Sequence, residues 1–242
     1  MSLNDKLATE LSHFLKTITY KNTGELDSSL TDEERQKSVS LMRVNASGEV
    51  SAQALYRGQA FFTKTPEVRK HLIKAGDEEF AHLEWCSKRL NELGGKKSIL
   101  DPLYYAGSFT LGSVAALISD ATSLGIVEET EKQVVEHLQG HLGEMSKDDK
   151  KSRKILEKMI DEEYEETRKE RFLQEDYIIK KFIPYNKSGK KLLDVGCGSG
   201  ILSIALAKAW RVPIYAFDVD ANAVLVAKEN TRHNLSLIHI SE

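Results

Sequence analysis

Residues 3 to about 20 place apolar and polar side chains at helical spacing, which predicts a short amphipathic helix ended by Asn22-Thr23-Gly24. Thr31-Asp32-Glu33-Glu34 reads as a capping box opening a long helix to about Thr63. Thr65-Pro66 caps the next helix, and Gly94-Gly95 stops it. A third helical region runs from Asp101 to about Met145, with a break expected near Ser123 to Gly125. A fourth opens at the cap-like Ser146-Lys147-Asp148-Asp149 and continues past Glu166. Four long helices with short connections predict an up-and-down bundle over residues 30–182, preceded by an N-terminal helix and linker over 1–29.

The pattern changes near residue 185. Leu192-Leu193-Asp194-Val195 reads as a strand, Gly196-Cys197-Gly198-Ser199-Gly200 as a tight loop, Ile201 to about Trp210 as an apolar helix, and Pro213 to Phe217 as a second strand ending at Asp218. This is a β-α-β start, and it predicts a second domain over 183–242. The chain is therefore expected to be mainly α, with a truncated Rossmann-like fragment at its end.

From Pro102 to Val127 the only charged residue is Asp120, long enough for a membrane span of about 20 residues. Interspersed Gly107, Ser108, Gly112, Ser113, Ser119 and Thr122 make it a poor span. The expectation is a bundle helix with one face in the core and an apolar surface able to touch lipid or an oily substrate.

Charged residues make up 29% of the chain with a formal net charge of −3, so nothing in the balance points to nucleic acid. Cys86 and Cys197 are too few and too far apart for a disulfide framework or a zinc cluster. The start, Met1-Ser2-Leu3-Asn4-Asp5-Lys6, lacks the basic and apolar regions of a signal peptide. The expected location is the cytoplasm.

The chemistry lies in a pattern that occurs twice. Glu49 precedes Glu79-x-x-His82 by 30 residues, and Glu131 precedes Glu163-x-x-Glu166 by 32. A di-iron carboxylate site in a ferritin-like four-helix bundle takes a Glu from each of two helices and Glu-x-x-His from each of the other two. The fit is complete except at Glu166, where the pattern has histidine. A single Glu-x-x-His is more often a chance pair on an exposed face; the repeated frame reverses that weighting. Carboxylate-rich sites with imidazole suit iron or manganese. Glu131 alone, in Glu128-Glu129-Thr130-Glu131, would read as part of a solvated face. His137 and His141 sit at i and i+4; without further ligands the pair is incidental, and His137 is expected to orient a ligand through a hydrogen bond. Tyr56, Tyr104 and Tyr105 read as core or interface aromatics.

Arg43-Val44-Asn45-Ala46-Ser47-Gly48-Glu49-Val50, Ala54-Leu55-Tyr56-Arg57-Gly58-Gln59-Ala60, Glu78-Glu79-Phe80-Ala81-His82-Leu83 and Asp101-Pro102-Leu103-Tyr104-Tyr105-Ala106-Gly107-Ser108-Phe109 resemble the demethoxyubiquinone hydroxylases of ubiquinone biosynthesis. The resemblance covers residues 30 to 166. It implies a di-iron monooxygenase, peripheral on the inner face of the cell membrane, that uses molecular oxygen to hydroxylate the ring of a polyprenylated benzoquinol. It leaves homo-oligomerisation open. By the same resemblance Glu49, Glu79, His82, Glu131 and Glu163 are iron ligands and catalytic residues, Glu79 and Glu163 are candidates to bridge two irons, and Glu131 is chosen over its acidic neighbours. Ala46 stands where the family commonly has a non-ligand histidine. Glu166, in the place of the second histidine, adds negative charge and favours oxidised metal.

Asp194-x-Gly196-x-Gly198-x-Gly200 differs from the dinucleotide fingerprint, which needs its third glycine where Ile201 stands. It is similar to the glycine loop of class I methyltransferases that bind S-adenosylmethionine, ribosomal-protein methyltransferases in particular. The similarity makes Asp194, Gly196, Gly198 and Gly200 the cofactor loop and places Asp218 at the ribose hydroxyls. A sheet this short is expected to fold weakly and to transfer no methyl group. The closing Leu237-Ile238-His239-Ile240-Ser241-Glu242 is expected to lie outside the methyltransferase pattern. Three competing readings follow: a ferritin-like iron-binding or peroxide-handling module, a methyltransferase with a helical appendage, and a chimeric or inactive chain in which two reading frames meet after Glu166.

Overall fold

A computed structural model describes residues 3–20, 26–165, 192–195, 200–211, 213–234 and 238–241. The chain divides into two units, Met1–Glu170 and Arg171–Glu242. The described helices of the first are α1 (Leu3–Thr19), α2 (Asp32–Phe62), α3 (Pro66–Glu92), α4 (Asp101–Ile118), α5 (Asp120–Glu144) and α6 (150–165).

Local chemistry sets the ends of these helices. At α2 the capping box forms as the sequence predicts: Thr31 Oγ1 accepts from the Glu34 backbone N–H, and Glu34 Oε2 accepts from the Thr31 N–H at 3.0 Å. Thr65 precedes α3 without capping it; its hydroxyl donates to Asp120 instead and ties the start of α3 to the start of α5. Asp149 Oδ1 accepts from the Ser152 N–H at 3.0 Å, so α6 begins where the cap-like sequence ends.

The third helical region breaks at Ser119 rather than near Ser123 to Gly125. Ser119 is fully extended (φ −168°, ψ 157°), its N–H donates to Ala115 O, and its Oγ accepts from the Thr122 N–H at 3.0 Å. One residue thus ends α4 and caps α5, which is why the glycine at 125 is left inside a helix.

The core joins Met42, Ala46, Val50 and Ala54 of α2, Leu83, Cys86 and Leu90 of α3, Val135 and Leu138 of α5, and Leu156, Met159 and Ile160 of α6. Helix α2 packs closely on both α3 and α4. A Cβ on Gly112 would lie 2.1 Å from the Leu55 carbonyl oxygen, and one on Gly58 would lie 2.1 Å from that of Phe109. The two backbones touch, and only glycine allows that.

At one end of the bundle Arg89, 1% exposed, donates to Asp27 Oδ2 and Asp149 Oδ1 at 2.8 Å, to Glu92 Oε2 at 3.0 Å and to Ser152 Oγ at 2.8 Å. This fastens the segment before α2, the end of α3 and the start of α6 to one guanidinium.

Helix α4 buries Tyr105, Gly112, Ser113, Ala115 and Ala116 and exposes Leu103, Leu111, Val114, Leu117 and Ile118. Helix α1 packs Phe14 and Ile18 against the core and also carries polar groups inward and leucines outward. It turns Glu10, His13 and Thr17 toward the bundle, where Thr17 donates to Gln53 and Glu10 faces Arg57 at 3.5 Å, while Leu3, Leu7, Leu11 and Leu15 are exposed. Among the described residues no helix is long and apolar enough to cross a membrane.

The second unit is β1 (Leu192–Val195), α7 (Ile201–Trp210), β2 (Ile214–Phe217), α8 (Ala221–Asn234) and β3 (Ile238–Ser241), with all strands parallel in the order β1-β2-β3. Within the closing residues, expected to lie outside the methyltransferase pattern, Ile238–Ser241 forms a third strand that pairs Ile238 with Ile214 and Ile240 with Ala216.

Candidate metal centre

Four helices each supply the interior with acidic side chains, because Glu49, Glu79, Glu131 and Glu163 sit on the same inward stripes as the core apolar residues around them. All four glutamates are buried, together with His82. Ligand atoms of Glu49, Glu79, His82 and Glu163 all lie within 4.8 Å of one another. His82 Nδ1 faces Glu163 Oε1 at 3.0 Å, Glu79 Oε2 at 3.5 Å and Glu49 Oε2 at 3.8 Å. Glu131 joins from α5, close enough to Glu163 to share a hydrogen bond. Glu166 lies outside the described residues.

The electrostatics follow from crowding carboxylates in a dry interior. Burial, then the neighbouring Glu79, pushes Glu49 well above the usual carboxylate range. Burial and Glu163 do the same for Glu131, and burial with Glu163 raises Glu79. Burial also pushes Glu163 up, but its hydrogen bonds with Glu131 and His82 outweigh that and hold it below the ordinary value. For His82 burial works downward, and the carboxylates of Glu163, Glu79 and Glu49 prevail, pushing the imidazole up to about 12. Oε2 of Glu79 and Oε2 of Glu131 accept no well-formed hydrogen bond. Buried charges left in this condition are costly unless something positive joins them, and a hard-oxygen donor set with one imidazole is what a divalent metal takes. The cluster has the chemistry to hold metal.

Two further side chains steady the donors. The Tyr56 hydroxyl, wholly buried, donates to Glu131 Oε1. His82 Nε2 stands 3.0 Å from Glu162 Oε2, which fixes the ring so that Nδ1 faces inward. Lys158 approaches Glu162 at 3.5 Å and lies 3.6 Å over the Trp85 ring, closing the outer side. Tyr56 was legible as a core aromatic but not as a hydrogen-bond donor. Glu162 left one signal, its place directly before Glu163. His137, expected to orient a ligand, is exposed and packs its ring 4.0 Å from that of His141, whose Nδ1 pairs with Asn45 Oδ1 at 2.6 Å. Through His141 the i,i+4 pair engages the buried Asn45 of α2.

Residues 36–175 match a family model described as ubiquinone biosynthesis protein COQ7. The chain belongs to the COQ7 family. Relatives named 3-demethoxyubiquinol 3-hydroxylase lie close to it. One from Francisella tularensis subsp. novicida is 48% identical over 140 residues, 58% of this chain and 66% of the relative. One from Pseudomonas aeruginosa strain PAO1 is 49% identical over 140 residues, 57% and 65% of the two chains. One from Ralstonia pickettii is 48% identical over 142 residues, 59% and 65%. The chain spans just under two thirds of the length of these curated relatives. All the ligand candidates from Glu49 to Glu166 fall inside the COQ7 match.

Residues 176–241 match a second family model, ribosomal protein L11 methyltransferase (PrmA). The match includes the β3 residues, so the expectation that they lie outside the methyltransferase pattern is corrected. Within this unit Gly196 and Gly198 lie outside the described residues. Gly200 has φ +76°, and a Cβ there would come within 3.0 Å of Ala227 Cβ, so α7 starts tight against α8. Asp194 accepts a hydrogen bond from Ser203 Oγ, and Asp218 Oδ1 accepts from the Asp220 N–H at 2.9 Å.

Proposed function

We propose that the helical unit is a di-iron monooxygenase that hydroxylates the ring of a polyprenylated demethoxybenzoquinol, working from the inner face of the cell membrane. The observation that carries this reading is the buried cluster of four carboxylates and one imidazole in a chain of the COQ7 family. Glu49, Glu79, His82, Glu131 and Glu163 would hold the metal, and Glu166, three positions after Glu163, is the remaining donor in the repeat. Iron bound there supplies the electrons and open coordination positions that reduce dioxygen. The chain's own part is to hold the donors and keep water out. Glu162 holds His82 at Nε2, Tyr56 holds its hydroxyl proton on Glu131 Oε1, and Met42, Val50, Leu83 and Met159 wall the interior. The exposed leucines of α1 and the apolar face of α4 support work at a lipid surface. A module that merely stored iron or destroyed peroxide would have no use for them.

The test is iron stoichiometry on the purified chain and on Glu166→His after anaerobic ferrous loading, followed by mass spectrometry of a diprenyl demethoxyquinol turned over in air. Two irons per chain and a product heavier by one oxygen are expected from the chain as it stands. Two irons and product only in Glu166→His would show that the site needs histidine at 166, and the chain itself would then be inactive.

A further inference from the structure

Outside the ligand cluster, α5 carries two histidines on successive turns, His137 and His141. Side chains four apart on a helix have Cβ atoms about 5–6 Å apart, and here the ring centroids lie 4.0 Å apart with the planes inclined at 57°. His137 is exposed and His141 half-buried. The pair is thus open to solvent on one side and anchored on the other.

The anchor is Asn45 of α2, 2% exposed. Its Oδ1 lies 2.6 Å from His141 Nδ1. An amide oxygen only accepts, so the ring donates from Nδ1 and keeps its lone pair on Nε2. A hydrogen bond of this kind on one ring nitrogen fixes the tautomer and the direction of a metal-binding imidazole at the other. The spacing of the two histidines is visible in the sequence, but the oxygen that orients one of them comes from 96 residues away.

The local charges favour a cation. Burial, then the neighbouring His137, holds His141 below its ordinary value, so at pH 7 its ring is neutral, the form that ligates. Two imidazoles this close resist taking up two protons, whereas one ion is shared by two lone pairs. Glu144, three residues beyond His141, adds a carboxylate whose charge acts on that ring, and it pairs with Lys37, the nearest ammonium.

We propose that His137 and His141 form a second metal site, distinct from the buried cluster, for one divalent transition ion of the class that prefers imidazole: copper, nickel or zinc. His141 stays on Asn45 and presents Nε2, the exposed His137 turns to meet the same ion, and water completes the coordination. The donor sets separate the two sites. Carboxylate oxygens dominate the buried one and suit harder ions, while the outer pair offers nitrogen alone.

Copper(II) added to the full-length chain, followed by electron paramagnetic resonance and equilibrium competition, tests it. Two imidazole nitrogens split the copper signal in a pattern that one nitrogen does not give, and the buried cluster has a single imidazole, His82, among its described residues. One copper per chain with two-nitrogen coupling is expected. His137→Ala should reduce the coupling to one nitrogen and weaken binding at least about tenfold, and Asn45→Ala should weaken it about 10–100-fold. His71→Ala, on α3, should change neither. Asn45→Ala empties a buried position, so its melting temperature is measured alongside, and His137→Ala, at an exposed position, decides the matter if the core does not tolerate that change. Single-nitrogen coupling in the wild-type chain, which would place the copper in the buried cluster or on a lone histidine, overturns the site. So does wild-type coupling and affinity in His137→Ala.

Discussion

Asp27 shows how much one side chain does in this protein. Its hydrogen bonds with Ser29 and Arg89 hold its carboxyl well below the ordinary value of 3.8. A carboxylate with a depressed folded-state pKa contributes stability that is complete above its unfolded value and is lost as pH falls through the folded one. Asp27→Asn should therefore cost about 1.5–3 kcal/mol at pH 7, the range for hydrogen bonds to charged groups. The difference from wild type should shrink progressively as pH falls below 3.8, where the carboxyl of the unfolded chain takes up a proton while the folded one stays ionised; urea melts across pH 2.5–7 measure it, and a pH-independent difference would refute the ion-pair account. At this scale the sequence was legible only where spacing carries information. Glu49, Glu79, His82 and Glu163 repeat in a frame that helix geometry explains. Tyr56 and Glu162 act on partners 75 and 80 residues away, and no local pattern records such a pairing.

Among the elements, the crossing of α2 and α4 depends on glycine. Gly112→Ala sets a methyl group against the Leu55 carbonyl, and about 1–3 kcal/mol of overpacking should outweigh the roughly 1 kcal/mol that alanine gains in a helix. Gly107→Ala on the same helix meets nothing within 4 Å and should be neutral or stabilising. Thermal melts of the two variants check the contrast, and equal midpoints would mean the helices can part without cost. The helix starts at Asp32 and after Asp149 were readable because side chains close in sequence cap them. The break at Ser119 was not, because Ser119 and Ser123 offer the same local capping residue and only the structure shows that Ser119 takes the role. The third parallel strand was missed for a related reason: Ile238–Ser241 is as long as β1 and β2 but is defined by its pairing with β2, which no local pattern records.

For the molecule as a whole, the metal-free interior crowds carboxyl groups whose charged forms burial penalises, a cost that a bound cation relieves. Anaerobic ferrous iron at a hundredfold excess over its Kd should add about 2.7 kcal/mol, a rise of about 5–10 °C for a unit of this size. Circular dichroism melts with and without iron measure it, and an unchanged midpoint would count against the whole ligand set. The Arg89 knot has a further consequence, one of time rather than strength. Its carboxylate partners Asp27 and Asp149 are 62 and 60 residues away in opposite directions along the chain, so two long loops must close before the guanidinium can leave water with its charge matched. Contacts of such sequence separation form late, and the second of them docks the start of the helix that bears Glu163. During synthesis the acidic interior therefore stays open to solvent until α6 has emerged and closed over it.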